Sequence, residues 1–301
     1  MKKIPLEATI IDAYKFFFHN IISIIGTVWF PVVVFLAVLG ALVASIVPHE
    51  WLVGHFVAPQ NPEAFFLSRI GLILAAEAVV MPVGLLVSAM IRVGILRLAV
   101  AEKSGLTLFW FSLGAKVWRM IGAMILTVIG CIVVAGIAVG AVVLAYCGLH
   151  AIPHLPNAVT VLVTVVLAIA AVVGIVYVLV RQFFFLPAVI VAENKIGLKR
   201  SWALGKGNVW RAIVIWLAVV IPVSMITSII TNATLMPVLM TQAVHFGPNP
   251  SPADLMGLFT ALAPFLAAII AIELLSGLVI LGTMFGAIGK AYKAVTADET
   301  V

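Results

Sequence analysis

Two sets of residues in this chain have types and positions that could do chemistry. The first is Glu77 and Glu273, carboxylates set inside long apolar stretches. Placing a carboxylate in a bilayer costs about 2.5–3.5 kcal/mol on insertion scales, and such residues usually turn toward a bundle interior. Two of them could form a proton or cation site in a small-molecule or ion transporter. They could equally be interhelical hydrogen-bonding glue. The second set is Lys199, Arg200, Trp202, Lys206, Trp210 and Arg211, with Lys116, Trp118 and Arg119 as an earlier echo. Tryptophan favours a membrane interface, and each basic residue there attracts anionic lipid by about 1 kcal/mol. The chemistry on offer is electrostatic contact with lipid headgroups; anchoring and topology alone form the competing reading.

The elements that carry these residues follow from composition. Apolar residues fill 64% of the 301 positions and Asp, Glu, Lys and Arg only 9%. A water-soluble domain needs about 25% charged residues to cover its surface, so an integral membrane protein is expected. Membrane β-strands would show short segments of period-two alternation. The apolar runs here are continuous and helix-length, predicting an all-α polytopic bundle. Six spans are expected near 20–47, 69–96, 120–147, 158–186, 211–236 and 257–289. Pro31, Pro82, Pro222 and Pro264 interrupt them and can kink their helices. No cleavable signal peptide follows Lys2-Lys3.

Nearly all lysines and arginines fall on one side of these spans: Lys2, Lys3, Lys15, Arg97, Lys103, Lys116, Arg119, Lys195 to Arg211, Lys290 and Lys293. Arg92 and Arg181 lie near the same interface, and Arg69 belongs to the other side. The bias predicts both termini in the cytoplasm, with three hairpins reaching out. Five of the six histidines, His49, His55, His150, His154 and His245, fall in the opposite loops. Zinc needs three or four convergent ligands, and no such spacing is present, so no metal is expected. Cys131 and Cys147 stand sixteen residues apart in one span, roughly 24 Å along a helix. That is too far for a disulfide.

The basic connector is written twice. Ala192-Glu193-Asn194-Lys195-Ile196-Gly197-Leu198, then Leu204-Gly205-Lys206-Gly207-Asn208-Val209-Trp210-Arg211, echoes Ala101-Glu102-Lys103-Ser104-Gly105-Leu106, then Leu113-Gly114-Ala115-Lys116-Val117-Trp118-Arg119. Asp298 can stand for the acid of a third copy. Counting back from Glu102 and Asp298 by the same interval reaches Glu77 and Glu273, whereas the middle copy has Ala168. The chain reads as one membrane domain of three units, 1–103, 104–195 and 196–301. Each should hold a cytoplasmic amphipathic segment, an outward helix, an outer loop and an inward helix. In the first unit Leu6, Ile10, Ala13, Tyr14 and Phe17 form a stripe suited to the headgroup layer. In the second, Phe109, Trp110, Phe111 and Trp118 accompany Lys116 and Arg119. Gly136 and Gly140 form a Gly-xxx-Gly pair expected to serve packing inside the bundle.

The sequence has no Gly-rich phosphate loop, no zinc-protease motif and no nucleophile elbow. No enzyme activity, cofactor or nucleic-acid partner is expected. The partners implied are membrane lipids, anionic ones in particular, and a soluble or membrane protein recruited by the connectors.

Phe185-Leu186-Pro187-Ala188-Val189-Ile190-Val191-Ala192-Glu193, followed by Lys199-Arg200-Ser201-Trp202-Ala203-Leu204-Gly205-Lys206-Gly207 and Trp210-Arg211, resembles a bacterial signature. It is similar to the membrane-domain family attached to some glycerophosphoryl diester phosphodiesterases and to related inner-membrane proteins. In those enzymes a separate soluble barrel carries the catalysis, and no stretch of this sequence is polar and long enough for one. The resemblance therefore implies a membrane module concerned with lipids or the cell envelope.

Overall fold

A bilayer offers no water to unsatisfied backbone groups, so an apolar chain of this length resolves into helices. The computed structural model describes residues 2–46, 62–100, 106–153, 156–243 and 252–297, with backbone alone for 62–66, 242–243, 252–257 and 259–260. Lys103, Glu102, Asp298, His49, His55, His154 and His245 lie outside the described residues. The helices are α1 (Leu6–His19), α2 (Ile21–Ile46), α3 (Pro62–Ala99), α4 (Ala115–His150), α5 (Asn157–Phe183), α6 (Leu186–Glu193), α7 (Leu198–Gly205), α8 (Val209–Ala243) and α9 (Pro252–Thr296). No strand occurs among the described residues.

Six helical segments are long and apolar enough to cross a membrane: Ile21–Ile46, Leu67–Ala99, Ala115–His150, Asn157–Glu193, Val209–Thr241 and Ala261–Thr296. The chain is a multi-pass, all-α membrane protein. The helices form three hairpins, α2 with α3, α4 with α5 and α8 with α9. Of these, α3, α4, α8 and α9 run past the expected span ends. Pro31, Pro82, Pro222, Pro237 and Pro264 all sit inside continuous helices. Pro187 behaves differently. It lies in the first turn of α6, where its ring and missing N–H exclude a bond to the Phe183 carbonyl. The helix α5 ends at Phe183 for that reason, so the middle unit's inward arm is broken while α3 and α9 are unbroken.

The hydrophobic core lies at the end carrying the basic connectors. It is built from α1, the start of α2, the last turns of α3 and α9, the start of α4 and α8, and nearly all of α6. Toward the other end the hairpins present apolar surface outward. In α4 none of the most apolar window is buried by the chain itself, and the largest share, in α2, is 28%.

Three expectations need correction. The apolar stripe of α1 is not free to lie in a headgroup layer: Ala13 and Phe17 are buried and Leu6, Ile10 and Tyr14 half-buried, and Phe16 beside the stripe is buried too, with the Phe16 and Phe17 rings set over Gly286 and Gly282 of α9. Tyr14, whose phenol burial pushes up, donates its O–H to the Ala218 carbonyl at 2.9 Å. The second unit opens with no helix over 106–114. That strand of backbone crosses α2 at Gly26, where a Cβ would strike the Thr107 carbonyl. Trp29 Nε1 donates to the Leu108 carbonyl at 2.9 Å. Trp110 is buried rather than interfacial, donating to the Met90 carbonyl at 3.3 Å under the Arg97 guanidinium. Finally, a Cβ on Gly136 or Gly140 would meet nothing within 4 Å, so that pair serves no packing among the described residues.

Candidate functional site

The connector after α6 is held together by opposite ends of helices. Four carbonyls at a helix C-terminus lack intrahelical donors and carry partial negative charge. The Lys116 ammonium, in the first turn of α4, donates to the Val191 carbonyl of α6 at 2.7 Å. Asn194 caps α6 in the left-handed region at φ 52°, a position asparagine tolerates. Its side-chain oxygen accepts from the Arg119 guanidinium. These cations sit unfavourably for the dipole of α4, and they are matched to the negative end of α6 instead.

Glu193 gathers the rest. Its carboxylate accepts from Lys195 at 2.8 Å, from Arg200 Nε at 3.2 Å and from the Tyr292 hydroxyl at 3.0 Å. The last contact ties the middle unit to the end of α9. A second tie runs through the following turn, where Gly207 at φ 76° takes a conformation that side chains resist. Buried Asn208 there accepts from the Ile4 backbone N–H at 3.0 Å and donates to the Lys2 and Leu204 carbonyls. Arg211 donates to the Ile4 carbonyl at 2.7 Å. The first residues of the chain are thereby clasped onto the third unit.

The nine candidate headgroup residues thus divide. Arg200, Arg211, Lys116 and Arg119 face other parts of the chain. Lys199 and Lys206 are exposed, and their ammonium groups make no hydrogen bond or ion pair among the described residues. Trp202, Trp210 and Trp118 are exposed as well, Trp210 at 73%. The Trp202 ring also carries the Arg181 guanidinium at 4.0 Å. Glu77 and Glu273 do not turn inward. Both are exposed on outward surfaces of α3 and α9. No cluster of three histidine, cysteine, aspartate or glutamate side chains gathers among the described residues.

The sequence reading passed over the residue with the most unusual surroundings. Arg92 of α3 faces an apolar cavity of about 440 Å³ between α4, α5, α6, α8 and α9. Its guanidinium stands 5.7 Å from the centre of the Phe285 ring. No carboxylate pairs with it among the described residues. The signal was present: an arginine seven residues before the end of a span differs from one in a loop. No family model, curated protein or solved structure matches this chain. The Asn208 clasp was also missed, because a lone asparagine in a Gly-rich turn reads as turn chemistry.

Proposed function

We propose that this protein is a non-enzymatic module of the bacterial inner membrane, with both termini in the cytoplasm, that associates with anionic lipid at its basic end. The one-sided lysine and arginine distribution supports the orientation. The observation that carries the lipid reading is the division of the connector cations. Arg200, Arg211, Lys116 and Arg119 hold the fold, while Lys199 and Lys206 point outward beside Trp202 and Trp210. Ammonium groups flanked by amphipathic rings suit the phosphate layer of a membrane surface. The similarity of Phe185 to Arg211 to the phosphodiesterase membrane domains agrees with a lipid-related role.

The test is native mass spectrometry of protein extracted with its lipids in mild detergent. The double variant Lys199→Gln with Lys206→Gln should weaken retention of phosphatidylglycerol by up to roughly 30-fold, at about 1 kcal/mol for each lysine. Helix content by circular dichroism should not change. Equal retention in the variant and the parent would sink the proposal. The transporter reading of Glu77 and Glu273 receives no comparable support, since both carboxylates are exposed and neither lines the cavity beside Arg92.

A further inference from the structure

We infer that the cavity beside Arg92 is a binding site for a single anionic phospholipid, with the phosphate on the guanidinium and an acyl chain among the apolar lining. This rests on the lipid-associated reading above and gives it a specific site within the bundle.

The cavity has the make-up of a ligand pocket: a few hundred Å³, mostly apolar walls and very few polar groups to fix orientation. Its walls include Met120, Met124, Phe183, Leu281, Met284 and Phe285, and Arg92 is the only charged residue among them. The Thr127 hydroxyl at its edge is already spent on the Ala123 carbonyl at 2.7 Å. Trp216 is 48% exposed, so the wall on the α8 side is not closed over. An apolar cavity does not hold water well, and in a bilayer the available filler is an acyl chain.

Arg92 decides which lipid. A charged side chain in a span is costly unless paired, and marks a functional site by default. The Phe285 ring supplies a cation–π contact but no counter-charge. Arg92 lies seven residues before the end of α3 at Ala99, roughly 10 Å along the helix. That depth lets a lipid phosphate reach it while its chain extends toward the bilayer centre. A planar guanidinium also binds phosphate through two parallel hydrogen bonds, which an ammonium cannot do.

The experiment loads purified protein with phosphatidylglycerol, phosphatidylethanolamine or inorganic phosphate and counts bound species by native mass spectrometry. The expected result is one tightly held phosphatidylglycerol per chain. Arg92→Gln should weaken it by roughly 30-fold or more, as for losing one partner of a buried charge pair. Arg92→Lys should restore only part of the affinity. The Lys199→Gln, Lys206→Gln variant should lose loosely held lipid and keep the tight one, which separates this site from the surface reading. Thr127→Trp, filling the cavity edge without touching the charge, should also expel the tight lipid.

Undiminished binding by Arg92→Gln overturns the inference. So does equal affinity for phosphatidylethanolamine, or full displacement by inorganic phosphate at matched concentration. If Arg92→Gln does not fold, a photoactivatable phosphatidylglycerol crosslinked to the parent protein decides. Adducts on Met124 or Leu281 support the site; adducts confined to Trp118 and Trp210 overturn it.

Discussion

The two ends of this molecule solve the burial problem in different ways. At the basic end, side chains from every hairpin converge, glycines admit close neighbours and polar groups are matched across units. Toward the opposite end, the same hairpins keep their own pairing and turn isoleucine, valine and leucine outward, as expected where lipid rather than protein is the solvent. The difference is plain in the glycines. Gly26, Gly282, Gly286 and Gly289 each have another part of the chain where a Cβ would go, whereas Gly136, Gly140 and Gly174 have open space. Small residues alone therefore do not mark a packing face. What marks it is a partner brought there by the rest of the fold.

The largest expected effect breaks the compact end at its closest approach. A side chain at Gly26 would meet backbone at Thr107 and Leu108, and one at Gly289 would meet Ala99 of α3. Backbone cannot rotate away as a long side chain can, so overpacking carries its full cost. Gly26→Leu and Gly289→Leu should each destabilise the protein by about 2–3 kcal/mol. Thermal unfolding in detergent, followed by circular dichroism, measures this. A melting curve for Gly26→Leu that overlays the parent's would mean the 106–114 segment does not cross α2 there.

A smaller loss is expected at the connector. Glu193→Ala removes the common acceptor of Lys195, Arg200 and Tyr292. The carboxylate is partly solvent-exposed, so its loss should cost about 1–2 kcal/mol, less than a buried charge pair would. Tyr292→Phe should reproduce only part of this, since it removes one hydrogen bond of the set. Trypsin cleavage near Lys195 and Lys199 should accelerate in Glu193→Ala. Unchanged proteolysis would show that Glu193 does not organise the connector.

How much of this was legible beforehand follows from the range of the forces involved. Hydrophobic runs longer than a bilayer are a local property, and all six spans were readable from them. Helix ends were less so, because α3, α8 and α9 run past the apolar windows used to find them. The break before α6 was readable in principle from Pro187, but five other prolines sit inside helices without ending them. The burial of Ala13 and Phe17 against α9 was not readable. An amphipathic stripe next to a membrane has the same pattern whether it faces headgroups or a glycine-bearing helix, and only the contact with Gly282 and Gly286 distinguishes them. The basic cluster was found as a cluster. Its division into structural and outward-facing cations depends on residues far away in sequence, such as Ile4 and Tyr292.

The smallest effects belong to the opposite end, and they test whether its exposed polar groups matter. Glu77 and Glu273 sit on outward surfaces of α3 and α9. If they only face the surroundings, replacing each by an uncharged amide removes part of an insertion cost and disturbs no contact. Glu77→Gln and Glu273→Gln should therefore leave unfolding within about 0.5 kcal/mol of the parent, as at surface sites generally, or raise stability slightly. Gly136→Leu should behave alike, since open space receives its side chain. The informative failure is a loss of more than about 1 kcal/mol in either carboxylate variant, well beyond what a surface change produces. Such a loss would require a partner for that carboxylate, supplied by a second chain or by the ion of the transporter reading. Proton-coupled uptake into vesicles would then discriminate: uptake abolished by both amide substitutions revives transport, and its absence leaves a protein contact on the outward faces of α3 and α9.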